Sequence, residues 1–145
     1  MPPINTNLST ITIKLNNILI TGCYARPYLN MSNIDLDTIF NQGSQIMVIG
    51  DLNCKHITWN NNVNNKNGTL LNKYLIDNNL QILYTQKPTL IPYNNTTPSY
   101  IDVVLNKNIT DLPDPQTLDE LSSDHLPVLI KWKADVQTEQ KHTKT

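Results

Sequence analysis

Residues 45–60 read QIMVIGDLNCKHITWN, an apolar run that stops at Gly50 and then presents Asp51 and Asn53. Ile46, Met47, Val48 and Ile49 read as a buried strand. A turn by itself accounts for Gly50 and Asp51, because glycine, aspartate and asparagine are common turn residues. A carboxylate and a carboxamide held at the end of a rigid strand also make the beginning of an active site. The rest of the chain decides between these readings.

Upstream, STITIKL alternates, and Ile11, Ile13 and Leu15 predict a strand with one buried face. Asn16 and Asn17 suit a two-residue hairpin turn, since asparagine tolerates positive φ. ILITGCY is then the returning strand, and Pro27 breaks its pairing. MSNIDLDTIFNQG predicts a short helix capped by Ser32 or Asn33, with Ile34, Ile39 and Phe40 facing in and Gly43 stopping it. Downstream, GTLLNKYLIDNN predicts a second helix with Leu70, Leu71, Tyr74 and Leu75 on one stripe. LQILY, PSYIDVVL and LPVLIKW read as three more strands. Hairpins mixed with strand-helix-strand units point to an α/β (α+β) sandwich rather than an open parallel sheet. One folded unit over 1–133 and a polar, disordered tail over 134–145 are expected.

The chain has 145 residues, a formal net charge of -1 and 16% charged residues, which excludes a broadly basic surface that holds nucleic acid by charge alone. Asparagine is frequent, and NNNVNN is read as compositional bias or a loop insertion. Cys23 and Cys54 both adjoin apolar strand patterns and are expected to be buried, reduced thiols. His56, His125 and His142 lack zinc-finger spacing. The N-terminus carries no signal-peptide pattern and no run reaches membrane-spanning length, so an intracellular protein, nuclear or cytoplasmic, is expected.

Polar groups gather at the edges of the apolar strands. Tyr24 ends the second strand, and Asp51 and Asn53 end the third. Asp102 sits inside PSYIDVVL between Ile101 and Val103, where an unpaired charge costs several kcal/mol. Asp124 and His125 open the last strand; taken singly, a turn residue and a surface histidine account for them. A histidine is the natural partner for Asp102, and His125 is the best placed by sequence.

In that order and at these spacings, VIGDLNCKHITWN, PSYIDVVL and LSSDHLPV resemble the endonuclease/exonuclease/phosphatase superfamily. With NGTLLNKYLIDNNLQILYTQKPT between them, they are similar to the endonuclease domain of jockey-type non-LTR retrotransposons, from about Leu15 to Trp132. The resemblance implies a deoxyribonuclease-like two-sheet fold with flanking helices and a Mg²⁺- or Mn²⁺-dependent cleavage of DNA. It implies that Asp51 orients or deprotonates the attacking water while Asn53 and Tyr24 bind the phosphate. His125 donates to a non-bridging oxygen and Asp102 holds it. Asp124 helps hold the metal, and Thr89 lies near the scissile strand. His56 matches a non-catalytic position.

The same resemblance calls for an asparagine and a metal-binding glutamate upstream, yet the first carboxylate in the chain is Asp35. The expectation is therefore a partial domain lacking its first strands, a weakly held metal, and self-association through an exposed sheet surface. The alternatives are a non-catalytic remnant or partner-binding fragment and, within the same superfamily, a phosphatase or phospholipid phosphodiesterase.

Overall fold

A computed structural model describes residues 4–93, 97–118 and 124–133. β1 (Ser9–Leu15) and β2 (Ile18–Tyr24) form the expected hairpin, with Leu15 opposite Ile18 and Asn16 at φ 54° in the turn. The chain crosses through α1 (Asn33–Phe40) to β3 (Ile46–Asp51), which runs parallel to β2. α2 (Lys66–Asp77) and β4 (Gln81–Leu83) follow, and β5 (Asp102–Lys107) pairs antiparallel with both β3 and β4. The sheet order is β1-β2-β3-β5-β4, and β3 is at its centre. β6 (Gln116–Thr117) and β7 (Val128–Leu129) make a second, two-stranded sheet.

Both faces of the main sheet bury apolar side chains. On one face Leu36, Ile39 and Phe40 of α1 and Leu71 and Leu75 of α2 pack with Leu19, Ile46, Val48, Val103 and Leu105. On the other, Met47, Leu83 and Val104 pack with Ile20, Ile49, Ile130 and Trp132. This double burial is why residues 46–49 read as an unbroken apolar run rather than an alternation. The result is the α/β sandwich expected from the sequence.

The helices are fixed at their ends. Ser32 caps α1 through a reciprocal pair of hydrogen bonds with Asp35, and Lys107 Nζ donates to the carbonyls of Phe40 (2.6 Å) and Gly43 (2.9 Å) at its far end. Tyr74 donates to Asp37 (2.7 Å), tying α2 to α1. Ile34 is exposed, not inward, because it lies about 200° around the helix from the buried Leu36. The buried stripe of α2 does hold Leu71, Tyr74 and Leu75.

The strongest departure from expectation is β1. Ile11 is 74% exposed and Ile13 59%, whereas alternation had assigned them to the core. They pair with Gly22 and Ile20, which places them on the sheet face that carries Ile20 and Met47. Over β3, β4 and β5 that face meets Ile130 and Trp132, and at β1 among the described residues it is uncovered. The last two expected strands are also shorter than predicted: β5 begins at Asp102, and β7 holds only Val128 and Leu129. No helix among the described residues is long and apolar enough to cross a membrane. The tail expected over 134–145 lies outside the described residues.

Candidate active site

The ladder between β3 and β5 ends with Asp51 directly opposite Asp102. Two carboxylates facing each other across a pair of strands repel, an arrangement that costs stability. Gly50 sets how β3 lies against β2 just before this pair. Its φ is +152°, and a Cβ there would lie 1.9 Å from the Cys23 carbonyl oxygen, so β3 closes on β2 only with glycine one residue before Asp51.

A segment far along the chain brings in the histidine. His125 makes a single antiparallel bridge with Leu90, flanked by Leu126 N–H to Thr89 O (2.8 Å) and Ile91 N–H to Asp124 O (2.8 Å). Its imidazole lies between the two carboxylates, with Nδ1 3.3 Å from Asp102 Oδ2 and Nε2 3.8 Å from Asp51 Oδ2. Burial pushes the Asp51 carboxyl up to about 6, and the charge of Asp102 adds to this; the Asn53 N–H and His125 act against it.

Polar side chains lock the turn after β3. The Asn53 N–H donates to Asp51 Oδ1 (2.9 Å), and Asn53 itself takes φ 47°. Asn53 Nδ2 donates to the Ala25 carbonyl (2.6 Å), and the Ala25 N–H donates to the Asp51 carbonyl (2.9 Å). Asn65 Nδ2 donates to the Asn53 carbonyl (2.9 Å), while its Oδ1 accepts from Lys55 and Gly68 N–H. Asn61 clasps the Tyr100 backbone through both N–H and C=O, two residues before Asp102. Asn64 accepts from the Ile57 N–H. Within the NNNVNN run, read from sequence as bias or insertion, Asn61 and Asn65 thus brace the site. Only Asn65 left a local signal, as a helix N-cap ahead of Leu70 and Leu71.

The structure places the remaining expected residues as follows. Tyr24 ends β2 next to β3, half-exposed, on the same strand-end edge as Asp51. Thr89, expected at the substrate, has no exposed surface; its Oγ1 accepts from the Ile101 and Asp102 N–H groups (3.2 Å each), so it sits beneath the site and fixes Asp102. Asp124, expected to hold a metal, is outside the cluster of metal-competent groups, which among the described residues comprises Asp51, Asp102 and His125. His56 is structural: Nδ1 accepts from Thr58 N–H and the ring stacks on Trp59, 5.1 Å between centroids. Cys23 and Cys54 are buried and unpaired with each other, and burial pushes the Cys23 thiol up to about 12.

The ligand atoms of Asp51, Asp102 and His125 lie within 4.8 Å of one another. Their chemistry fits a divalent cation: two hard carboxylates and an imidazole, with a mutual repulsion that positive charge relieves.

A mixed five-stranded sheet with helices on one face, Ile130 and Trp132 packed on the other, and a small second sheet makes a deoxyribonuclease-like fold. The chain belongs to the family described as Endonuclease-reverse transcriptase, which matches residues 18–129. It is 33% identical over 141 residues to the RNA-directed DNA polymerase from mobile element jockey of Drosophila funebris, covering 92% of this chain and 15% of that protein. The jockey polymerase of Drosophila melanogaster is 31% identical over 89% of this chain and 15% of its own length. The probable polymerase from transposon X-element of the same fly is 34% identical over 87% of this chain and 14% of its length. The chain therefore spans about one-seventh of the relatives it matches. Among solved structures, cytolethal distending toxin from Actinobacillus actinomycetemcomitans shares the fold, with a TM-score of 0.50 and 17% identity, covering 82% of this chain and 51% of the toxin chain. Proteins of this family usually depend on a divalent metal, and the Asp51, Asp102 and His125 cluster can hold one.

Proposed function

We propose that this chain is a metal-dependent DNA endonuclease, the nicking part of a retrotransposon-derived protein. The observation that carries this is His125 held between Asp51 and Asp102 at the ends of two paired strands. Asp51, a carboxylate fixed at the strand end with its Oδ1 held by the Asn53 N–H, is placed to accept a proton from water. As the water oxygen bonds to phosphorus, Asp51 Oδ2 takes its proton, the bond to the leaving sugar oxygen breaks, and that oxygen takes a proton from solvent. Asp102 accepts from His125 Nδ1–H and so directs Nε2–H toward a non-bridging phosphate oxygen. Asn53, with one side-chain N–H on Ala25, has a second for the phosphate, and the Tyr24 hydroxyl stands on the neighbouring strand end.

With His125 committed as a donor through both ring nitrogens, Asp51 and Asp102 would hold the cation, Mg²⁺ or Mn²⁺, which when bound would neutralise charge on the phosphate. Two carboxylates are few ligands for Mg²⁺, so its binding is weak. DNA as substrate implies an intracellular setting. The test is nicking of supercoiled plasmid with Mg²⁺ and with chelator, beside Asp51→Ala and His125→Ala. Chelator-sensitive nicking lost in both variants is expected. A folded sample that nicks no more than the variants overturns the proposal in favour of a non-catalytic fold.

A further inference from the structure

A cleft of about 450 Å³ opens on the Asn53 side of the site, between the loop after β2 and the start of α2. Its walls are braced. Asn67 Nδ2 donates to the Leu29 carbonyl (2.5 Å) and its Oδ1 accepts from the Met31 N–H (3.1 Å), so α2 holds the loop in place. On the opposite wall Asn65 joins Asn53 and Lys55. The cleft exists before anything binds.

Its chemistry differs from that of the acidic cluster beside it. Lys55 and Lys66 both line it, and neither is ion-paired to a carboxylate among the described residues. Lys66 Nζ reaches only the neutral Asn30 Oδ1 (3.2 Å). On the rim stands Tyr28. The Leu29 N–H bonds the Arg26 carbonyl (3.2 Å), closing a turn with Pro27 second and Tyr28 third, and Tyr28 has φ 65°. Glycine is the residue that fits this position of such a turn. A bulky aromatic occupies it instead, with its side chain fully exposed. Among the described residues neither packing nor hydrogen bonding accounts for the ring, and strain at an exposed position adjoining a candidate site points to a ligand.

We propose that this cleft holds a single-stranded stretch of nucleic acid next to the scissile phosphate, with Tyr28 stacking on an unpaired base and Lys55 and Lys66 clasping its phosphates. Aromatic platforms alternating with cations are how proteins hold single strands without reading sequence. Asn53 belongs to both the cleft and the candidate site, so a strand lying in the cleft leads its backbone to Asp51. The assignment rests on the endonuclease reading for the word scissile, but the binding it predicts is independent of cleavage.

The experiment measures fluorescence anisotropy of a dye-labelled oligothymidylate of about ten nucleotides against the full chain in chelator, over a salt series, beside a blunt duplex of equal length. Tyr28→Gly is the informative variant, because it relieves the backbone and removes only the ring. It is expected to bind about tenfold more weakly while unfolding no more easily, and Tyr28→Phe to stay within about twofold of the parent. Lys55→Ala with Lys66→Ala is expected to flatten the slope of log affinity against log salt by about 1.4. Single-strand affinity unchanged in Tyr28→Gly, or binding of the duplex alone, overturns the proposal. Absence of plasmid nicking with these effects intact refutes the nuclease reading and leaves the strand site standing.

Discussion

Asp51→Asn should make the protein more stable as it removes the proposed activity. Asp51 has a side chain only 15% exposed and lies opposite Asp102, and its carboxyl is raised from 3.8 to about 6, chiefly by burial. A carboxyl whose folded value exceeds its unfolded value favours the native state while protonated, so that contribution is complete below 3.8 and is lost as pH rises through about 6. Two units at about 1.4 kcal/mol each give a loss of about 3 kcal/mol by pH 7 to 8. Asparagine keeps the shape and an oxygen for the Asn53 N–H but carries no charge. Urea unfolding in chelator, from pH 4 to 8, should therefore show wild type and variant close together at the acid end, with the variant pulling ahead by about 2–3 kcal/mol above pH 7. Asp35 titrates in both proteins and cancels: burial acts to raise it, yet hydrogen bonds from Asn7, Ser32 and Thr6 hold it below its ordinary value. Adding a divalent cation should stabilise wild type and narrow the gap. Parallel profiles, or a variant less stable at pH 8, would refute the claim that the fold strains against an ionised Asp51.

Two further substitutions test the architecture. Gly50→Ala places a methyl 1.9 Å from the Cys23 carbonyl oxygen, so it should cost about 3 kcal/mol or more in urea unfolding and displace Asp51; an alanine variant as stable as wild type would show that β3 has room to shift. Ile11 and Ile13 stand exposed on a strand whose outer edge is unpaired among the described residues, and a second copy of this chain is the proposed occupant of that face. Light scattering at micromolar concentration should find concentration-dependent association that Ile11→Lys with Ile13→Lys abolishes; a monodisperse monomer without the substitutions contradicts this.

How far the sequence could be read depended on how local each cause was. The hairpin at Asn16 and Asn17, the capping by Ser32 and the apolar core strand all have causes within a few residues, and the structure has each of them. Asp102 was legible for an energetic reason, since a charge among Ile101, Val103 and Val104 needs a partner, and His125 lies 3.3 Å away. The face of β1 was not legible, because alternation separates two faces without saying which one another layer covers. The depth of Thr89 was not legible either: its burial comes from Ser99, Ile101 and Leu126 closing around it, contacts made only in the folded chain. β6 is two residues between Pro115 and Leu118 and exists by pairing with β7.

The asparagines carry the deeper lesson about how this site is held. A carboxylate kept partly buried opposite another raises the free energy of the native state, so the turn that carries it will relax toward water unless something else fixes it. Packing of Leu52, Cys54 and Trp59 in the core anchors the segment from below but cannot satisfy the backbone polar groups between them. Side-chain amides can, because each offers both donors and an acceptor to backbone groups that no strand or helix satisfies. Asn53, Asn61 and Asn65 do this, each binding the backbone of a separate segment: the β2 exit, the approach to β5, and the start of α2. One stretch of chain, from Ile46 through Asn67, therefore builds the buried strand, the strained acid and one wall of the basic cleft. A strand led past Lys55 is carried to Asp51 by a backbone that those amides hold still.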